Sequence, residues 1–174
     1  MFIRGRIESI KQAQNRMIKK NPYLFLDDEP FFDAVFLDFD GVIRLNSKFN
    51  DACIQNVLRF CNETGAKIVI SSSWQFDLRY DEMISHLNSK GLGPYIKSKT
   101  AGMSLPREER ILSYLNNNLY VDRFVVLDDD RSFSVLSGYL IQTRPEEGFN
   151  EEKRQKAIKT FMKQAVLPIR KLNR

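Results

Sequence analysis

Four short apolar runs stand out along the chain: Ala34-Val35-Phe36-Leu37, Ile68-Val69-Ile70, Phe124-Val125-Val126-Leu127 and Tyr139-Leu140-Ile141. Each is too short for a globular helix and rich in strand formers, so each predicts a buried strand. Between them the apolar positions return at helical spacing. Ile3, Ile7, Ile10, Met17 and Ile18 predict an amphipathic helix over about residues 3–20, ended by Asn21-Pro22, with a loop over 27–33. A polar segment follows Gly41; Asn50 or Asp51 then caps a helix that runs to about Glu63 and stops at Gly65. Further helices are expected over about 77–90, stopped by Gly91, and from a Ser104 cap through Pro106 to about Asn117. Tyr95 and Ile96 suggest a short strand, and Asn150 caps a last helix to about Val166, before Pro168. Strands alternating with helices predict an α/β fold: a Rossmann-like three-layer sandwich with a mostly parallel central sheet. The 174 residues suit one domain, 1–174, with the basic helix at its start.

Composition narrows this little, but charge and cysteine usage add something. The net charge of +5 comes from the ends: Arg4, Arg6, Lys11, Arg16, Lys19 and Lys20 face only Glu8 in the first twenty residues, and no acid follows Lys153. Such ends suit nucleic-acid phosphates, an anionic membrane surface or an acidic partner, or are simply solvated helix faces. No apolar run approaches the length of a membrane span, and Met1 to Arg6 lack the apolar core of a signal peptide. Two cysteines, Cys53 and Cys61, suit a reducing compartment and small core positions rather than a disulfide framework.

The chemistry is expected at the strand ends. The first strand runs into Asp38 and Asp40-Gly41, the second into Ser71-Ser72-Ser73-Trp74, and the third into Asp128-Asp129-Asp130-Arg131. Parallel strands share one carboxyl edge, where open α/β sheets bind ligands, so the three clusters should converge. Close carboxylates at such an edge suit a divalent cation, or a nucleophile beside an acid.

This pattern, Asp38-Phe39-Asp40-Gly41 above all, resembles the haloacid dehalogenase (HAD) superfamily of aspartate-nucleophile phosphatases over about residues 34–135. The resemblance implies Asp38 as the nucleophile that forms an aspartyl-phosphate and Asp40 as the general acid. It implies a hydroxyl at Ser71, Ser72 or Ser73, with Ser71 first, that bonds the phosphoryl group near Gly41 and Trp74. It also implies a Mg²⁺ site made by the Asp38 carboxylate, the Asp40 backbone carbonyl, and Asp128 and Asp129, with Asp130 a further candidate. A basic residue at a helix start completes the set; Arg107 is the first choice, and Lys97 and Lys99 are alternatives. The physical logic agrees, because a carboxylate attacking a phosphate dianion needs cations to offset like-charge repulsion.

The gaps at 41–66 and 75–106 are too short for a cap domain, so an open site and a macromolecular substrate are expected. Phe39, Trp74, Phe76 and Tyr80 suggest an aromatic entrance for phosphotyrosine, as in effector-type tyrosine phosphatases of the superfamily. That leaning fits a cytoplasmic protein or one delivered to a host cell. The alternatives are a polynucleotide 3′-end phosphatase, since Ser72 to Trp74 and Asp129 to Arg131 resemble HAD domains of nucleic-acid repair proteins, and a non-catalytic phosphoinositide or nucleic-acid binding module. Cys53 to Arg59 fits the C-x5-R signature of cysteine phosphatases, but it holds no glycine to wrap a phosphate and continues a helical pattern. His86, the one histidine, has no ligand partner nearby in sequence and suits packing. Trp74 suits core or site rim equally.

Overall fold

A computed structural model describes residues 31–164, together with 8, 9, 12, 13, 15 and 16. Those six are helical. The rest of the expected N-terminal helix and the basic residues beyond 164 lie outside the described residues.

Strand β1 (Phe32–Leu37) is the centre of a five-stranded sheet. On one side lie β4 (Lys67–Ile70) and the edge strand β5 (Ile96–Lys99); on the other lie β6 (Val121–Asp128) and β7 (Leu140–Gln142). Every pairing in this sheet is parallel. The alternation of side chains explains why Ala34 to Leu37 of β1 are all apolar: both faces are buried. Val35 and Leu37 join a core with Ile54, Val57 and Phe60 of helix α1 (Asp51–Thr64), Met83 and Leu87 of α2 (Tyr80–Ser89), and Ala157 and Phe161 of α4 (Glu151–Met162). Ala34 and Phe36 face the other way, onto Ile111, Leu112 and Leu115 of α3 (Arg107–Asn117). Helices therefore cover both faces of a Rossmann-like α/β sandwich, and no separate cap is present among the described residues.

Local chemistry sets the boundaries. Asn50 and Asn150 each accept the backbone N–H three residues on, at 3.0 Å, and cap α1 and α4; each such cap is worth about 1 kcal/mol. Gly65 takes the left-handed conformation (φ 72°) that closes α1.

The structure differs from the sequence reading in several places. The polar segment after Gly41 is a small antiparallel hairpin, β2 (Arg44–Leu45) and β3 (Lys48–Phe49). Its turn residues Asn46 and Ser47 both have positive φ, as a tight hairpin turn requires. Phe32 and Asp33 already belong to the sheet, and β6 is twice the expected length. A 3₁₀ turn over Ser73–Phe76 delays α2 to Tyr80. Pro106, not Ser104, occupies the cap position of α3, without a side-chain cap bond. The C-x5-R stretch lies on α1, and both cysteines are buried and free. His86 stacks on Phe49 with ring centroids 4.6 Å apart, which is a packing role.

Candidate active site

The sheet order places β4, β1 and β6 side by side, so their carboxyl ends bring Ser71–Ser73, Asp38 and Asp128 together. The ladder reaches past the strands: Ser71 N–H donates to Leu37 at 3.0 Å and Asp38 N–H to Leu127 at 3.1 Å. Asp38 and Asp128 are thereby buried, at 2% and 0% exposure. Arg107, the first residue of α3, reaches between them. Its Nη1 donates to Asp38 Oδ2 at 2.5 Å and to Asp128 Oδ1 at 2.8 Å. Lys97 and Lys99 do not reach this place: they lie over the rings of Phe32 and Tyr80.

The other two oxygens, Asp38 Oδ1 and Asp128 Oδ2, are buried without a hydrogen-bond partner. Together with Asp129 these carboxylates offer oxygens that all lie within 4.8 Å of one another. A set of hard oxygen donors with two unsatisfied buried atoms fits a divalent cation such as Mg²⁺. Asp130 stands apart from that group. Its carboxylate accepts Ser132 N–H at 2.7 Å, which holds it below the usual carboxylate range, and its own N–H donates to Asp128.

Burial pushes the Asp38 carboxyl up, against the pull of Arg107, the Ser72 hydroxyl and Phe39 N–H. Burial and the neighbouring Asp38 push Asp128 up to about 7. Burial also raises Asp129. A carboxyl with a raised folded pKa favours the fold in its protonated form. That contribution is complete below the ordinary value of 3.8 and is lost as pH rises to about 7. The carboxyls with lowered pKa, such as Glu151 at about 2, act in the opposite sense but only in acid. Metal-free protein is therefore expected to melt roughly 5 °C or more lower at about pH 8 than at about pH 5. Thermal unfolding in chelator should show this, and Asp128→Asn should flatten the dependence. An unchanged slope in that variant would remove Asp128 as its source.

Gly41 completes the acidic side. Its φ is +70°, and a Cβ there would collide with the Asp129 carboxylate. Gly41→Ala should cost on the order of 1–3 kcal/mol and displace Asp129. The measurement is the Mg²⁺-induced rise in melting temperature, which should shrink; an undiminished rise would contradict the close approach.

Asp40 points away from this cluster. Its Oδ1 accepts Arg44 Nη1 at 2.6 Å from β2, and its Oδ2 accepts Trp74 Nε1 at 2.5 Å. Trp74 is thus at the site rim, with the guanidinium groups of Arg44 and Arg79 over its ring, 4.5 and 4.6 Å from the centroid. An open cavity of about 250 Å³ joins these groups; besides Asp38, Asp40 and Arg107, its wall is Ser72, Ser73, Trp74 and Asp77. Ser71 is fully buried behind it, its hydroxyl unpartnered. Ser72 takes the place nearest Asp38, while Ser73 Oγ accepts Arg110 Nη2 at 3.2 Å.

Of the four rings of the expected aromatic entrance, only Trp74 lines the cavity and Phe76 is exposed. Phe39 is fully buried and packs edge-on against Phe49, and Tyr80 packs on the core. Three arginines escaped the sequence reading. Arg110 carries a helical signal, three residues after Arg107 on the same helix, whereas Arg44 and Arg79 lie in segments without periodicity.

No curated protein and no solved structure matches the chain. A family model described as the HAD domain in Swiss Army Knife RNA repair proteins matches residues 34–154, from β1 into α4. With its Asp38–Asp40 strand end, its second acidic strand end and its capless parallel sheet, the chain belongs to that family of HAD domains.

Proposed function

We propose that the protein is a metal-dependent phosphomonoesterase that removes the 3′-phosphate from polynucleotide ends through an aspartyl-phosphate. The observation that carries the chemistry is the buried Asp38–Arg107–Asp128 cluster opening on the cavity. The RNA repair setting of the family supports a polynucleotide over the phosphotyrosine protein that the sequence alone favoured. The loss of Phe39 and Tyr80 from the entrance weakens the phosphotyrosine reading further.

In this reading the Asp38 carboxylate attacks phosphorus and the P–O bond to the 3′ oxygen breaks. Asp40, at the exposed rim, gives that oxygen a proton and later takes one from the water that hydrolyses the aspartyl-phosphate. Arg107 offsets the negative charge of Asp38 and the incoming phosphate, and the Ser72 hydroxyl and Gly41 border the phosphoryl group. Asp38, Asp128 and Asp129 would hold Mg²⁺, with the Asp40 carbonyl, and the ion supplies further charge neutralisation. A non-catalytic binding module would have little use for carboxylates held buried and part unsatisfied, which lowers stability.

The test compares 3′-phosphorylated oligonucleotides with phosphotyrosine and phosphoserine peptides, in Mg²⁺, by phosphate release. The oligonucleotide is expected to have the highest kcat/KM. Preference for either peptide would overturn the substrate, and no release from any of the three, nor from an aryl phosphate, would overturn the activity.

A further inference from the structure

We propose that the segment from Ser73 to Tyr80 is a stacking platform for the terminal bases of a single-stranded polynucleotide, with Phe76 and Arg79 as its contact surfaces. This rests on the polynucleotide reading above and narrows it to unpaired ends.

The chain leaves β4 at Ile70 but does not enter α2 directly. Ser72 caps the 3₁₀ turn by accepting Trp74 N–H, and the turn presents Trp74 and Asp77 to the cavity. Phe76 and Leu78 remain exposed beside it, at 38% and 103%. Six large apolar side chains are exposed among the described residues, and four of them, Phe76, Leu78, Met103 and Leu105, follow β4 and β5. Those strands are neighbours, so the four side chains sit on adjacent loops at the edge that holds the cavity. Core packing does not account for these exposed apolar side chains.

Cations back the aromatic rings in the same segment. The Arg110 guanidinium lies 5.5 Å from the Phe76 ring centroid. Arg79 lies over Trp74, and its Nε and Nη2 both donate to the Asp77 carboxylate, at 3.1 and 3.4 Å. This fork fixes the guanidinium plane while the Arg79 side chain stays 59% exposed. A ring and a held guanidinium next to the cavity offer what a nucleobase stacks on: flat faces held in place. A duplex buries those base faces in its own stack, so the platform selects single strands. A phosphopeptide brings no regular series of rings spaced along a phosphate backbone to fill that surface.

Binding of a short fluorescent single-stranded 3′-phosphorylated oligonucleotide, by anisotropy without added Mg²⁺, tests this on the full chain. Phe76→Ala and Arg79→Ala should each weaken binding about 10-fold, within the range that base stacking supports. Phe76→Trp should restore it, and a blunt duplex of the same sequence should bind more weakly than the strand. In Mg²⁺ the alanine variants should lower kcat/KM for the strand, relative to that for an aryl phosphate, by a similar factor through KM. Alanine variants that bind like the wild type, a duplex bound equally well, or a phosphotyrosine peptide that displaces the strand at equal concentration would each overturn the platform. The two readings separate cleanly. A strand bound but never dephosphorylated overturns the phosphatase reading and leaves the platform, whereas dephosphorylation with unchanged KM in both alanine variants does the reverse.

Discussion

Asp38→Asn is expected to lower phosphate release by on the order of 10⁴-fold or more, as loss of a covalent nucleophile does elsewhere. Asp38 is the first residue beyond β1, its N–H is still held by Leu127, and its Oδ2 is fixed by Arg107. The side chain is therefore aimed by the sheet and by α3 rather than by a flexible loop. An amide keeps nearly the same shape and still accepts from Arg107, but it cannot attack phosphorus as a carboxylate does. It also removes a negative charge from beside Asp128, whose own carboxyl is pushed up to about 7 in part by Asp38. The variant should thus melt no lower than the wild type in chelator near neutral pH, and calorimetry should show that gain together with the loss of turnover. Wild-type turnover by the variant would displace Asp38 as nucleophile. Lost turnover together with a collapsed melting temperature would instead make Asp38 a structural residue.

The fold was readable because burial on both faces writes itself into a strand as continuous apolar residues. Val35 and Leu37 serve one core while Ala34 and Phe36 serve the other, so no polar residue interrupts the run. Asp38 and Asp128 were readable for the converse reason: a carboxylate ending such a run must sit at the sheet edge. What failed to show was anything held by local geometry. The hairpin over 44–49 is short and polar and turns on Asn46-Ser47 rather than the usual Asn-Gly, so Arg44 gave no hint of its grip on Asp40. The choice among three serines depends on where the ladder ends. Ser71 still donates to Leu37 and is buried, which passes the cavity wall to Ser72 and Ser73. Phe39 lies beyond the end of the apolar run, between two carboxylates, yet it shares the core of Val35 and Leu37.

Arg107 carries the second large effect, and it differs in kind because stability and activity should fall together. Arg107→Met leaves Asp38 and Asp128 buried beside one another without their shared cation. Breaking a buried ion pair from one side costs about 3–5 kcal/mol, and here two carboxylates lose the same partner. In chelator the melting temperature should therefore drop by roughly 6 °C or more near pH 8, and by less near pH 5, where Asp128 takes up a proton. Turnover should fall by on the order of 10³-fold, because the repulsion between Asp38 and a phosphate dianion returns. Arg107→Lys should recover part of both, since an ammonium supplies the charge but on a different stem from the guanidinium whose Nη1 bridges the two carboxylates. Adding Asp128→Asn to Arg107→Met separates the two effects. The double variant should regain much of the stability, as the unpaired charge is gone, but none of the activity, and a double-mutant cycle on melting temperature measures the coupling. Independent, additive losses would mean that Arg107 acts on some group other than Asp128. Full activity in Arg107→Met would mean that the basic role belongs to another residue, with Arg110, already bonded to Ser73 at the same cavity, the next to replace.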